Sequence, residues 1–108
     1  MYVTMGKTVT FDFTTHNPTT GNASDADSLP TCEVFENVND TAILTPTVSK
    51  RVSKTGNYNV SFAVTEANGF EIGNTYNIIV TAIVDGVTAK SRIDAFLLMP
   101  TSSASFVL

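Results

Sequence analysis

The feature that most limits what this chain can fold into is a two-residue alternation of apolar and polar side chains, with no stretch carrying a helical stripe. Val9, Phe11 and Phe13 share one face of a short run, while Thr8, Thr10, Asp12 and Thr14 take the other. Tyr58, Val60, Phe62 and Val64 repeat the pattern against Asn59, Ser61, Ala63 and Thr65. A period of two puts alternate side chains on opposite faces of a strand, so each such run has one face to bury. Residues 75–84 are apolar on both faces, as expected of a strand in the middle of a sheet.

The breaks between the runs are as informative as the runs. Residues 16–30 are rich in Asn, Thr, Gly, Asp and Ser and read as a long exposed loop. Pro46 interrupts the apolar pair Ile43 and Leu44, which places that segment at a sheet edge or at a switch between sheets. Residues 66–68 are compatible with a short helical turn before Gly69. Asp85-Gly86 is a strong signal for a type I′ hairpin. The result is about seven strands with turn signals roughly every ten residues, the pattern of a single Ig-like Greek-key β-sandwich of antiparallel strands over residues 1–100. Tyr76, three residues after Gly73, falls where such sandwiches place a tyrosine that bonds backbone upstream, or it is a plain core tyrosine. Pro100 ends regular structure, leaving residues 101–108 as a C-terminal tail.

Composition matters most for what it removes. With 108 residues, 43% hydrophobic and 15% charged, the chain has the material for one packed core and is not a disordered tail. Six basic against ten acidic residues, a net charge of −4, argue against a nucleic-acid-binding face. No apolar run approaches the roughly 20 residues that span a bilayer, so no membrane contact is expected. His16, the only histidine, sits in the polar loop without an acid or nucleophile nearby in sequence and reads as solvated. Cys32 occupies an inward strand position and reads as a small hydrophobe. Asp25, Asp27 and Asp40 lack the spacing of a calcium loop and read as solvated acids. No catalytic residue, cofactor or metal is therefore expected, and the chain is not read as an enzyme. Lys50, Arg51 and Lys54 form the main basic cluster, with Lys90 and Arg92 on another strand. These positions are a solvated strand face, an edge guard or a contact for an acidic partner.

A family likeness enters through particular runs. Thr55-Gly56-Asn57-Tyr58-Asn59-Val60-Ser61-Phe62, then Ala67-Asn68-Gly69-Phe70-Glu71-Ile72-Gly73-Asn74-Thr75-Tyr76, then Val84-Asp85-Gly86-Val87 closing at Phe96, resemble a recurrent module of tailed-bacteriophage virion proteins. Phe11-Asp12-Phe13-Thr14-Thr15 and Thr31-Cys32-Glu33-Val34-Phe35-Glu36-Asn37 fit the same module, so the likeness covers residues 7–98. The resemblance implies a virion location and a multi-copy structural role beside other virion proteins, either capsid or tail subunits. It carries over no catalytic residue. The first expectation is a decoration or cement subunit on the capsid exterior. The alternative is a tail, neck or fibre-attachment module, with a host-surface glycan recognised by the loops at 15–29 and 66–74. Phe106, Val107 and Leu108, together with Lys50 and Arg51, are the expected partner interface. Met1 to Met5 is a second apolar tip.

Overall fold

The computed structural model describes residues 1–37 and 39–100, so the expected contacts of Phe106, Val107 and Leu108 lie outside the described residues. Among the described residues eight strands follow in order: β1 (Tyr2–Thr4), β2 (Thr8–Thr14), β3 (Thr31–Glu36), β4 (Ala42–Leu44), β5 (Val48–Lys50), β6 (Asn57–Ala63), β7 (Thr75–Val84) and β8 (Val87–Met99). The one helical element among the described residues is a single 3-10 turn at Glu66–Asn68, where the sequence allowed one. Two sheets result. One runs β1-β8-β7-β3-β4 and the other β2-β6-β5.

The alternation decides which faces meet. Phe11 from β2, Tyr58, Val60 and Phe62 from β6, and Tyr76, Ile78 and Val80 from β7 are all buried between the sheets. Cys32 and Val34 of β3 join them, as their strand positions require. β7 is central in its sheet, between β3 and β8, as expected, but only the face of Tyr76, Ile78, Val80, Ala82 and Val84 is buried, while Ile83 on the other is 38% exposed.

Two strand breaks close the sandwich. β4 pairs with β3 in the larger sheet and β5 with β6 in the smaller, so the chain changes sheets at Pro46, which lacks the N–H a continuous strand would need. At the other side Gly6, with φ of 93°, turns the chain between β1 and β2. There the Gly6 N–H donates to Val64 C=O at 2.8 Å. This second switch corrects the expected strand set. The strands read from the sequence begin at Thr8, whereas Tyr2–Thr4 forms a further strand, β1, which pairs parallel with β8 in a set expected to be antiparallel, with Tyr2, Val3 and Thr4 opposite Leu97, Leu98 and Met99.

β8 carries the other irregularity. Its register against β7 shifts between Ile78 and Ile79, pairing Ile78 with Asp94 and Ile79 with Arg92 and leaving Ile93 unopposed. The extra residue inverts the alternation, so that Ile93, Ser91 and Ala89 turn inward on one side of the bulge while Phe96 and Leu98 do so on the other.

Candidate functional site

The strand registers put two sets of loops at opposite ends. The 15–30 loop, the 51–56 turn and the β7–β8 hairpin lie together: Thr15 N–H donates to Gly56 C=O at 2.8 Å and Asp27 N–H to Ile83 C=O at 2.7 Å. The 64–74 segment lies at the far end with Gly6 and the end of β8, where Gly73 N–H donates to Leu98 C=O at 2.8 Å. The 15–29 and 66–74 loops therefore sit at opposite ends of the sandwich and do not form one site.

The 15–30 loop is exposed as expected, yet its acids are not merely solvated. His16 and Ala23 form a bridge, and the Asn17 carboxamide oxygen accepts from the N–H groups of Thr19 and Thr20 at 2.8 and 3.0 Å. Asp25 accepts from the Gly56 N–H at 2.6 Å and pairs with the Lys50 ammonium at 3.4 Å. The Gly56 N–H, more than Lys50, holds the Asp25 carboxyl below the usual carboxylate range. Ala26 N–H donates to the Tyr58 hydroxyl at 2.9 Å. The Asp27 carboxylate accepts from Asp85 N–H at 3.0 Å and Gly86 N–H at 2.9 Å, the two turn residues of the hairpin. Asp85 and Gly86 have φ of 49° and 76°, the positive values a type I′ turn demands at both central positions. The Asp25-Ala26-Asp27 triplet thus pins one loop to two turns. The signal in the sequence was the pairing of short acids with distant turn glycines, which no local pattern links.

Lys50 is committed to its own chain. Its ammonium donates to the carbonyls of Arg51 at 3.0 Å and Lys54 at 2.8 Å and sits 5.8 Å from the Tyr58 ring centre. Arg51 lies across the outer face of the smaller sheet, 3.9 Å from Asp12. Asp40 stays at the far-end turn, remote from Asp25 and Asp27, and no cluster of three or more metal-ligating side chains occurs among the described residues. Cys32 is 2% exposed, and burial pushes its thiol up to about 11, so it is protonated and shielded at neutral pH.

The surface with an unmet structural demand is the seam between β2 and β8. At the hairpin end the two sheets part over a groove of about 210 Å³ lined by Phe13, His16, Ala82, Val84, Ala89, Ser91 and Ile93, among others. Ala82 and Val84 form a buried floor, whereas Ala89 and Ser91 are exposed and too small to fill the space above it. His16, exposed, stands at the lip rather than in a cluster of titratable groups. Along the β8 side, β1 covers only Leu97, Leu98 and Met99, and no strand among the described residues pairs with positions 87–96 on that edge. A second apolar surface lies on the outer face of the larger sheet, where Tyr2 (69% exposed) stands beside Leu97 (38%). Met1, at 67%, adjoins it, while Val3 and Met5 of the same tip turn into the core.

The chain matches no protein-family model, no curated protein and no solved structure.

Proposed function

We propose that this chain is an immunoglobulin-like Greek-key sandwich that serves as a non-enzymatic structural subunit of a tailed-bacteriophage particle, a decoration or cement protein on the capsid exterior bound to other particle proteins. The strand order supports the fold reading. A sheet running β1-β8-β7-β3-β4 over a sheet running β2-β6-β5 has the neighbours of an Ig sandwich in which the first strand has moved onto the last. Tyr76 supports it further. Its hydroxyl accepts from Glu71 N–H, five residues upstream, at 2.7 Å and donates to the Glu36 carboxylate at 3.0 Å. That is the backbone tie expected of a tyrosine corner.

The observation that carries the functional reading is the β8 edge at positions 87–96, unpaired among the described residues, beside an apolar groove. A long open edge beside exposed apolar surface is a template for another chain and is ordinarily blunted or covered. Lys90 and Arg92 on that edge oppose indiscriminate pairing and leave room for a chosen partner. The particle assignment comes from the likeness of residues 7–98 to phage virion modules. Protein analysis of purified heads and purified tails tests it. The chain should be found on heads in many copies, and its presence on tails alone would replace the capsid assignment by a tail, neck or fibre part.

A further inference from the structure

We propose that the seam between β2 and β8 is the docking site for residues 101–108 of a second copy of this chain, added as a strand along the open edge of β8; this rests on the assembly reading above and names its contact. The backbone supplies the first part. Val84 and Val87 flank the two-residue turn and pair across it, so the ladder to β7 uses the polar groups of Val87, Ala89 and Ser91. The N–H and C=O groups of Thr88, Lys90 and Arg92 then point away from β7, into the lane that β1 occupies only further along. A strand placed there meets a row of unmatched donors and acceptors, which is how strand addition obtains its affinity.

The groove supplies the second part. An apolar cavity of roughly 150 Å³ takes up a benzene ring, so a groove of about 210 Å³ has room for a phenyl side chain. Residues 101–108 read Thr-Ser-Ser-Ala-Ser-Phe-Val-Leu. In an extended conformation Ala104, Phe106 and Leu108 share one face, which can sit over Ala82 and Val84. The segment carries no charged side chain, so nothing in it repels Lys90 or Arg92.

Reach decides between a chain's own segment and a neighbour's. Residues 101–108 leave from Pro100, at the end of β8 furthest from the hairpin. Eight extended residues span at most about 26–29 Å. The way back from Met99 to Ile93, the near edge of the groove, is about 20 Å, β1 already fills the lane beside Leu97–Met99, and reversing direction around it consumes several residues. A chain's own Phe106 falls short of its own groove. The contact is therefore head-to-tail, one copy's segment in the next copy's seam, and its closure into a ring or extension into a row depends on the rotation per step.

Sedimentation of the 108-residue chain and two variants tests this. Phe106→Ser removes the ring that enters the groove, and Ala89→Arg fills the groove at an exposed position that folding does not need. The parent should self-associate as concentration rises, and each variant should associate about tenfold more weakly or worse, with a melting temperature equal to the parent's at concentrations where the parent is monomeric. Mixing the two variants should restore one contact and give a 1:1 pair, because each retains the half that the other lacks. A parent that stays monomeric overturns the proposal. So does an Ala89→Arg chain that associates as the parent does, which would move the contact to the outer patch around Tyr2, and so does a mixture that forms no pair. Self-association is read without any particle. A chain that assembles through the seam but is missing from purified heads keeps this inference and loses the particle reading.

Discussion

At the end where β6 hands over to β7, the rings of Phe11, Phe62, Phe70, Tyr76 and Phe96 touch one another with centres 4.7–6.5 Å apart, and Phe70, Tyr76 and Phe96 are at most 1% exposed. At the hairpin end the inner face is built of Val80, Ala82, Val84, Ala89 and Ser91, with the Phe13–Tyr58 stack to one side. What joins loops there is a set of hydrogen bonds from Asp25, Asp27 and Tyr58. One end is held by burial of large rings, and the other by directed polar contacts around small side chains. Burial is worth more per residue and tolerates no opening, whereas exposed polar ties are weaker and leave the seam accessible. The same small side chains that leave the hairpin end without large buried rings line the groove, so the end held by polar ties is the one where the proposed docking seam lies.

The sharpest way to break this contrast is to remove one ring from each end. Phe70→Ala strips a fully buried ring from among Phe62, Tyr76 and Phe96 and should cost about 3–5 kcal/mol, enough to leave a marginal fold. Phe13→Ala removes a half-buried ring at the groove and should cost about 1–2 kcal/mol, mainly its partial burial and its stack on Tyr58. Urea unfolding of both, with unchanged slope, measures the difference; equal losses would mean that the two ends share one mode of stabilisation.

Gly56 probes the point where the polar end is tightest. Its φ is 69°, and a Cβ there would lie 2.6 Å from the Thr15 carbonyl oxygen and 3.1 Å from the backbone of Ser24. Backbone atoms tied by the Thr15–Gly56 and Ser24–Thr15 hydrogen bonds cannot step aside as a side chain would, so Gly56→Ala should cost about 2–3 kcal/mol. The loss should be accompanied by release of the 15–27 segment, seen as a fall in amide protection at Thr15 and Ser24.

Much of the burial-driven end was legible from the alternation alone. Phe11, Tyr58, Val60 and Phe62 face inward because period two leaves them no other face, whereas Tyr76 and Ile78 lie in a run apolar on both faces that alternation alone does not orient. Pro46 marked a sheet edge or a change of sheet, and the pairing shows the change of sheet. β1 was not legible as a strand, because Met1–Met5 is too short a run to show its partner and its pairing with β8 lies about 95 residues away in the sequence. The bulge at Ile93 was hidden for a different reason: it breaks the period inside a run already apolar in its second half. The role of Asp25 and Asp27 depends on contacts 31 and 58 residues away, a distance over which local pattern has no purchase. The seam belongs with these. It arises from where β1 stops relative to β8, which is a property of pairing, not of any single segment.

A smaller effect sharpens the account of the polar end. Asp27→Ala removes the acceptors for Asp85 and Gly86 but leaves their turn dihedrals unopposed, and the site is exposed, so the global loss should be about 1 kcal/mol. The local effect should exceed the global one. Hydrogen exchange at the Asp85 and Gly86 amides should accelerate well beyond the change at Tyr76 or Ile78, and uniform acceleration would show that the hairpin does not open separately from the core.

The smallest expected effect isolates charge from geometry at Asp25. Its carboxyl lies below the usual carboxylate range, first because the Gly56 N–H donates to it and then because of Lys50. A group whose folded pKa is depressed binds fewer protons in the native than in the unfolded state, so its contribution is full above the ordinary value of about 3.9 and is lost as pH falls through the lower folded value. Asp25→Asn keeps an oxygen for the Gly56 N–H and removes only the charge. The variant should be less stable than the parent at neutral pH, and the two curves should converge in the acid window below about pH 4. A constant offset down to the lowest pH would mean that shape, not ionisation, matters at this position. Salt separates the two causes within the ionic part. Near 1 M salt the screening length is about 3 Å, which weakens the exposed Lys50 pair but leaves a 2.6 Å hydrogen bond nearly intact. Most of the convergence should therefore survive in high salt, and its disappearance there would transfer the leading role from Gly56 to Lys50.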